Sequence, residues 1–181
     1  MPLALLAFIA RFVTAGLRKY PELNTRIETS SDGSHEIVAF EGINLGFAAQ
    51  TDRGQVVPSI RSAKKLSARQ LDEEIRRLTT VARGGQATPA ELGSGTFTLN
   101  HYGVLGVDGS AAIINYPEVA ILGVGRIVDK PWVINGELVA RKVTELTLTF
   151  DYRVCDGATA AAFLRFVVDA IENPSSLLAD I

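Results

Sequence analysis

The pattern of hydrophobic and polar residues changes abruptly near the end of the chain. Between residues 146 and 151 apolar and polar residues alternate, which predicts a β-strand with one apolar face. From Gly157 onward apolar residues recur every three or four positions, which predicts an amphipathic helix that ends at Asn173. Because a tight turn between a strand and a helix often presents reactive groups, the polar turn at residues 151–157 is the first candidate site.

Two further helices of substantial length are expected. Apolar spacing over residues 5–17 predicts a helix that Pro21 ends, and a capping box at residues 67–70 opens a helix that stops at Gly84. Residues 88–91 predict a very short helix with the same type of cap. A helix with a broad apolar face usually has a packing partner earlier in the chain, so we expect an N-terminally truncated domain.

About eight strands are expected, and hairpins dominate. Turn-forming residues at 31–33, 52–54 and 135–136 join neighbouring strands, and Asn-Gly at the third position is a strong hairpin signal. The strand at residues 146–151 is expected to be the one that follows this third turn. The mainly apolar run at residues 118–128 is typical of a strand that is covered on both faces. Residues 101–115 are rich in turn formers and predict a long loop. The predicted fold class is α+β: a mixed, largely antiparallel sheet with helices packed on one side.

Length and composition indicate one globular domain over residues 1–181. The chain is 47% hydrophobic and 21% charged, and a domain of this size buries roughly 70% of the surface of the unfolded chain. The net charge is −2 and no basic run is present, so no nucleic acid is expected as a partner. The apolar start is short and interrupted by Arg11, which favours a core helix over a signal peptide or membrane span. A single cysteine, Cys155, excludes an internal disulfide and is typical of the cytoplasm.

The turn at residues 151–157 resembles the catalytic signature of the E2 acyltransferases of 2-oxoacid dehydrogenase complexes. That motif runs Asp-His-Arg-Val-x-Asp-Gly-Ala at the end of a strand, and this chain matches every position except one. Tyr152 stands where the family has its catalytic histidine. Other segments resemble family motifs in the same order, so that the likeness covers almost the whole chain: 20–24, 46–49, 54–61, 85–92, 95–100 and 114–125.

The resemblance implies a chloramphenicol acetyltransferase-like fold and transfer of an acyl group between dihydrolipoamide and coenzyme A. In the family, the two thiols enter opposite ends of a channel between neighbouring subunits of a trimer. The implied partners are therefore further copies of the chain, as a homotrimer or within a larger cubic core, together with lipoyl domains and the E1 and E3 components. Residues 1–181 contain no lipoyl or subunit-binding domain, so the lipoyl group is expected from another domain.

Tyr152 makes the activity harder to assign than the fold. A base with a pKa near 7 suits deprotonation of a thiol of pKa about 8.5, whereas tyrosine has a pKa of about 10 and is protonated at neutral pH. Loss of general-base assistance typically costs about 10²–10⁴ in rate, so we expect impaired activity. Two alternatives stay open: a tyrosinate retuned by Arg153, and a non-catalytic structural subunit of the complex. A hydroxyl-acylating enzyme of the same fold would also require the histidine.

The resemblance implies roles for four further residues. Asn100 matches the position that donates a hydrogen bond to the oxyanion, which its amide N–H can do. Asp156 is either a general acid or base or, more simply, a helix N-cap or a partner of Arg153. Arg61 and Thr98 are implied contacts of coenzyme A.

The remaining reactive side chains receive less weight. His35 lies beside a hairpin and is expected to be exposed. His101 adjoins Asn100 and could replace the missing base, but neighbours on a strand face opposite sides. Cys155 is expected to fill space rather than act as a nucleophile. Two histidines and one cysteine offer no spacing for a metal site, and no phosphate-binding loop is present.

Overall fold

A computed structural model of the protein describes residues 3–175. Four α-helices are present in this range: α1 Leu3–Lys19, α2 Ala68–Arg83, α3 Pro89–Leu92 and α4 Gly157–Glu172. Three short 3-10 helices lie at Pro21–Leu23, Ala63–Lys65 and Tyr102–Leu105. Within the described range no helix is both long enough and apolar enough to cross a membrane.

Side-chain caps define where the later helices begin. The Ser67 hydroxyl accepts a hydrogen bond from the backbone N–H of Gln70, whose side chain accepts one in return from Ser67. Thr88 and Glu91 form the same capping box at α3. Each cap satisfies backbone N–H groups that the first turn of a helix leaves unpaired. Both predicted capping boxes are therefore confirmed.

A five-stranded mixed sheet forms the centre of the molecule. Its strands are β3 Leu45–Phe47, β6 Ser59–Ile60, β7 Phe97–His101, β8 Ala120–Val124 and β11 Leu146–Phe150. They follow the order β11-β8-β7-β3-β6 across the sheet. β7 lies parallel to β3 and β8, while β11 and β6 pair antiparallel at the two edges.

Three antiparallel hairpins surround this sheet, as the turn signals predict. They are β1 Thr25–Thr29 with β2 His35–Ala39, β4 Ala49–Thr51 with β5 Gly54–Val56, and β9 Val128–Ile134 with β10 Glu137–Val143. In the last hairpin Asn135 and Gly136 have φ values of 52° and 84°. A type I′ turn requires positive φ at both positions, which Asn-Gly adopts readily.

The strands are shorter and more numerous than the sequence pattern predicts: eleven are present among the described residues. The run at 118–128 ends as a strand at Val124, and the next residue, Gly125, lies so close to the backbone of Asp108 and Glu145 that a side chain would not fit there. The chain then leaves the sheet and forms the β9–β10 hairpin. The strand that follows the Asn135-Gly136 turn is consequently β10, and the prediction that β11 comes directly there is wrong.

One face of the sheet carries the core, and the three long helices cover it. Because strand side chains alternate, Phe97 and Leu99 point to the helices while Thr98 and Asn100 point to the other face. Buried side chains of both layers form one cluster; among them are Val13, Leu17, Leu45, Leu71, Ile75, Leu78, Phe97, Leu99, Leu122, Phe163 and Val167. Antiparallel pairs outnumber parallel ones, so the predicted α+β class is confirmed.

Candidate active site

Asp151 organises the turn between β11 and α4. Its carboxylate accepts hydrogen bonds from the backbone N–H of Arg153 at 3.0 Å and from Nη2 of the same residue at 2.6 Å. The hydrogen bonds from Arg153 lower the pKa of Asp151, and those to Asp151 raise the pKa of Arg153. The backbone N–H of Asp151 also donates to the carbonyl of Val119 at 2.8 Å. The turn is thereby attached to the segment that leads into β8.

Tyr152 projects from this turn into solvent, with 70% of its surface exposed. Its ring lies 5.7 Å from the ring of Phe150, centroid to centroid, and its hydroxyl lies close to Gly157 at the start of α4. The guanidinium of Arg153 pairs with Asp151 rather than with Tyr152. The Arg153 guanidinium, which would have to stabilise a tyrosinate at position 152, is therefore already paired with Asp151.

Asp156 caps α4. Its Oδ1 atom accepts a hydrogen bond from the backbone N–H of Thr159 at 3.0 Å, and this bond lowers the pKa of the carboxyl. The predicted cap is confirmed, whereas the alternative pairing with Arg153 is wrong because that side chain binds Asp151. The start of α4 therefore needs a side chain at position 156 that accepts a hydrogen bond, whether charged or neutral.

Cys155 packs against the core and is only partly exposed. Burial raises the pKa of its thiol, and the nearby carboxylates of Glu22 and Asp156 raise it further. A nucleophilic cysteine needs the opposite shift, toward the thiolate. The environment agrees with the space-filling interpretation.

Asn100 is half-buried near the end of β7 and points away from the helices. It stands opposite Gly123 of β8, which stands opposite Thr147 of β11. Within residues 3–175 its side-chain amide has no hydrogen-bond partner. The amide N–H groups are therefore available to an oxygen of a bound ligand.

Asn100 and Tyr152 lie at opposite ends of the sheet. Asn100 is level with Thr147, and β11 continues three residues beyond that point to Phe150, about 10 Å along the strand. Tyr152 lies further on, in the turn, and β8 separates its strand from β7. Since hydrogen bonds require about 3 Å, a single chain does not bring these two side chains together.

Arg61 lies at the other edge of the sheet, just after β6. It lines a groove of about 560 Å³ between β6, α2 and α3, together with Gln70, Thr88 and Arg77. Arg77 is neutralised by Glu74 and Glu91, and hydrogen bonds to these two carboxylates raise its pKa. Within the described chain the guanidinium of Arg61 has no ion-pair partner. The groove has the volume of a small-molecule site, and its charged lining consists of Arg61, the Arg77 ion pairs and the carboxylate of Glu73.

Thr98 is fully buried, and its hydroxyl donates a hydrogen bond to Oε2 of Glu118 at 2.5 Å. In the single chain it faces a carboxylate and is not presented to a ligand. Glu118 was not identified from the sequence, although one signal was present: it is a charged residue at the edge of the apolar run that becomes β8. Burial raises the pKa of Glu118 to about 6.

The histidines contribute little to this site. His35 is exposed, as expected, and its Nδ1 atom lies 3.0 Å from the hydroxyl of Thr29. His101 is the last residue of β7, and burial lowers the pKa of its imidazole. Among the described residues no three metal-ligating side chains come together.

Comparison with known proteins decides the family. The model of the 2-oxoacid dehydrogenases acyltransferase (catalytic domain) family matches residues 2–179. The chain belongs to this family. It is 41% identical over 175 residues to the lipoamide acyltransferase component of the branched-chain alpha-keto acid dehydrogenase complex of Pseudomonas aeruginosa, covering 97% of this chain and 40% of that protein. It is 38% identical over 176 residues to the dihydrolipoyllysine-residue acetyltransferase component of the pyruvate dehydrogenase complex of Bacillus subtilis, covering 97% and 39%. The chain spans about two fifths of the length of these curated relatives.

Solved structures of family members agree with the fold. The dihydrolipoamide acetyltransferase of Azotobacter vinelandii superposes with a TM-score of 0.88 at 29% identity, over 96% of this chain and 70% of that one. The cubic core of a pyruvate dehydrogenase multienzyme complex gives a TM-score of 0.87 with the same identity and coverage. A chloramphenicol acetyltransferase, at 16% identity and a TM-score of 0.53 over 93% of this chain and 76% of that one, shares the fold alone.

Proposed function

We propose that residues 1–181 form the acyltransferase catalytic domain of an E2 component, which moves an acyl group between dihydrolipoamide and coenzyme A in the cytoplasm. One observation carries the assignment. A serine, a histidine and an asparagine have been investigated in the catalytic mechanism of the Azotobacter vinelandii enzyme, and they are spaced along that chain as Asn100, Tyr152 and Asp156 are along this one. The lipoyl group comes from another domain, and the complex supplies the E1 and E3 components.

The residues present support a simple reaction sequence. The thiolate sulfur of coenzyme A attacks the thioester carbon of the acyl-lipoyl group, and the carbonyl oxygen gains a negative charge. Asn100 donates an amide N–H to this oxyanion, which stabilises charge that develops only in the transition state. Collapse of the tetrahedral intermediate breaks the bond to the lipoyl sulfur, which takes up a proton. Arg61, with its unpaired guanidinium, is suited to a phosphate of coenzyme A.

The positions of Asn100 and Tyr152 support a site built from two copies of the chain. In one chain the two residues occupy opposite ends of the sheet. A second copy whose turn meets the β7 end of the first would complete one site, and cyclic repetition of this contact gives a closed ring. We therefore propose a homotrimer, either alone or within a cubic core such as that of the similar pyruvate dehydrogenase structure.

An acyl-exchange assay tests the proposed activity. The protein is incubated with coenzyme A and either acetyl- or branched-chain acyl-dihydrolipoamide, because the two relatives differ in the acyl group that their names imply. We expect acyl-coenzyme A to form faster than in the uncatalysed exchange, and we expect Asn100→Ala to remove most of the difference by deleting the oxyanion donor. Equal rates with and without protein, for every acyl group, would refute the assignment.

A second candidate is a non-catalytic subunit that scaffolds the complex. It is favoured by the turn itself, in which Tyr152 replaces the family base and the Arg153 cation is engaged by Asp151. Such a subunit would form trimers or larger assemblies in light scattering but would show no exchange above background. Exchange that Asn100→Ala abolishes would eliminate this candidate.

A further inference from the structure

Glu118 has a buried carboxyl group that no step above uses. Only 6% of the residue is exposed. Its two oxygens each accept a hydrogen bond from a side chain: Oε2 from Thr98 at 2.5 Å and Oε1 from Asn115 at 3.1 Å. A side chain at Gly95 would collide with Oε1, so the glycine leaves space for the carboxyl. Burying a carboxyl group without hydrogen bonds costs free energy. The two donors and the glycine therefore indicate that the surrounding residues are arranged to accommodate this carboxyl.

The position of Glu118 in the fold connects the two halves of the candidate site. Through Thr98 it is bonded to β7, two residues from Asn100 and on the same face of the strand. The next residue along the chain, Val119, accepts the hydrogen bond from the backbone of Asp151. Residues 118–119 are therefore hydrogen-bonded to the strand that carries Asn100, through the Glu118 carboxylate, and to the turn that carries Tyr152, through the Val119 carbonyl.

We propose that Glu118 is a positioning residue for acyl transfer, which fixes the turn that carries Tyr152 relative to the strand that carries Asn100. Thr98 acts through Glu118 and does not contact coenzyme A. This inference rests on the proposed acyl transfer for its kinetic consequences, whereas its structural consequences can be measured without any activity. In an assembly of copies, Glu118 and Val119 of each chain hold its Asn100, which faces one site, and its 151–157 turn, which faces another.

The ionisation of Glu118 is consistent with this role. Its pKa of about 6 leaves the carboxyl mainly charged at neutral pH, and the two donors from Thr98 and Asn115 match a carboxylate with two acceptor oxygens. Burial is the main cause of the raised pKa, and these two hydrogen bonds oppose it. The carboxylate is thus held by neutral donors rather than by an ion pair.

Two pairs of variants test the proposal. Glu118→Ala and Thr98→Val remove the hydrogen bond between Thr98 of β7 and Glu118, while Glu118→Gln and Thr98→Ser keep a polar partner at each position. Glu36→Gln, on the exposed face of the β1–β2 hairpin, serves as a control. If Glu118→Ala does not fold, Thr98→Val still removes the same hydrogen bond without leaving a large cavity.

The first readout is amide hydrogen exchange of the assembled protein. We expect Glu118→Ala and Thr98→Val to speed exchange at residues 97–101 and at the Asp151 amide by at least tenfold, with no change in α2. The conservative variants and the control should exchange like the native protein. Unchanged exchange at the Asp151 amide in both disruptive variants would overturn the proposal, whatever the activity of the protein.

The second readout is kinetic and uses the Tyr152→His background, where rates are expected to be high. Displacing a reacting group by about 1 Å can cost about 10²-fold, so we expect kcat to fall tenfold or more while KM for coenzyme A stays within about twofold. A raised KM with unchanged kcat in Thr98→Val would instead make Thr98 a coenzyme A contact and overturn the proposed role. Absence of transfer in the Tyr152→His parent would refute the proposed function, and hydrogen exchange would still decide the role of Glu118.

Discussion

At the scale of single residues, the turn at 151–157 keeps its shape through side chains that are no longer free for chemistry. The carboxylate of Asp151 binds Arg153, the carboxylate of Asp156 caps α4, and burial keeps the thiol of Cys155 protonated. Tyr152 remains the exposed group at the tip of the turn. The turn therefore provides a well-formed frame, and we propose that the residue at position 152 decides the rate of acyl transfer.

Tyr152→His should raise kcat for acyl transfer by about 10²–10⁴, because an imidazole of pKa about 6.5 can remove the thiol proton near neutral pH. The side chain is mostly exposed, so the substitution should not affect folding. The native rate should rise with pH until the thiol ionises near pH 8.5, whereas the variant should level off near pH 7. Tyr152→Phe is the matched control, and equal rates for the His and Phe variants would contradict the prediction.

At the scale of secondary-structure elements, the start of α4 depends on Asp156. Asparagine caps helices about as well as aspartate, whereas alanine leaves the backbone N–H of Thr159 without a partner. We expect Asp156→Asn to retain the native Tm and Asp156→Ala to lower it, as measured by thermal unfolding at pH 7. Because the pKa of Asp156 is lowered in the folded state, its contribution is present above the unfolded pKa of about 3.9 and disappears as the pH falls through the folded value. A loss of activity in Asp156→Asn at native Tm would show that the carboxylate has an acid–base role.

The buried carboxyl of Glu118, just before β8, makes stability depend on pH in the opposite sense from Asp156. Glu118 has a pKa of about 6 when folded and about 4.3 when unfolded, so the folded state binds its proton more tightly. Its contribution to the free energy of unfolding should fall by about 2 kcal/mol as the pH rises from 4 to 7. Urea unfolding of the native protein and of Glu118→Gln at both pH values measures this difference. A difference between the two proteins that does not change with pH would contradict the prediction.

At the scale of the whole molecule, the separation of Asn100 from Tyr152 supports the proposal that the site is shared between two chains. In the proposed mechanism, native chains supply the oxyanion donor but no base, and chains with both Asn100→Ala and Tyr152→His supply the base but no donor. When the two are co-assembled, about a quarter of the interfaces in a randomly mixed ring should combine donor and base. The mixture should therefore exceed the activity of either chain alone, measured by acyl exchange at equal protein concentration. Activity equal to the average of the two separate chains would place the complete site within one chain.

Features that depend on a few neighbouring residues could be predicted from the sequence. The capping boxes at Ser67 and Thr88, the type I′ turn at Asn135 and the cap at Asp156 all involve groups within four positions of one another, and the structure contains each of them. Alternation of apolar residues along β11 also predicted the face that packs against the core, which carries Leu146, Leu148 and Phe150, because the strand repeat is fixed at two residues. Together with the family motifs, these local patterns determined the fold class and the location of the candidate turn.

Only the tertiary structure decided how these parts combine. Arg153 could have paired with Asp151 or Asp156, and Thr98 could have faced a ligand instead of Glu118, 20 residues away. The position of Asn100 relative to Tyr152 depends on the parallel pairing of β7 with β8 and the antiparallel pairing of β8 with β11. The register between distant strands is set by burial of the whole core rather than by any short segment, so the sequence pattern identified the reactive residues and the fold alone determined which of them can meet.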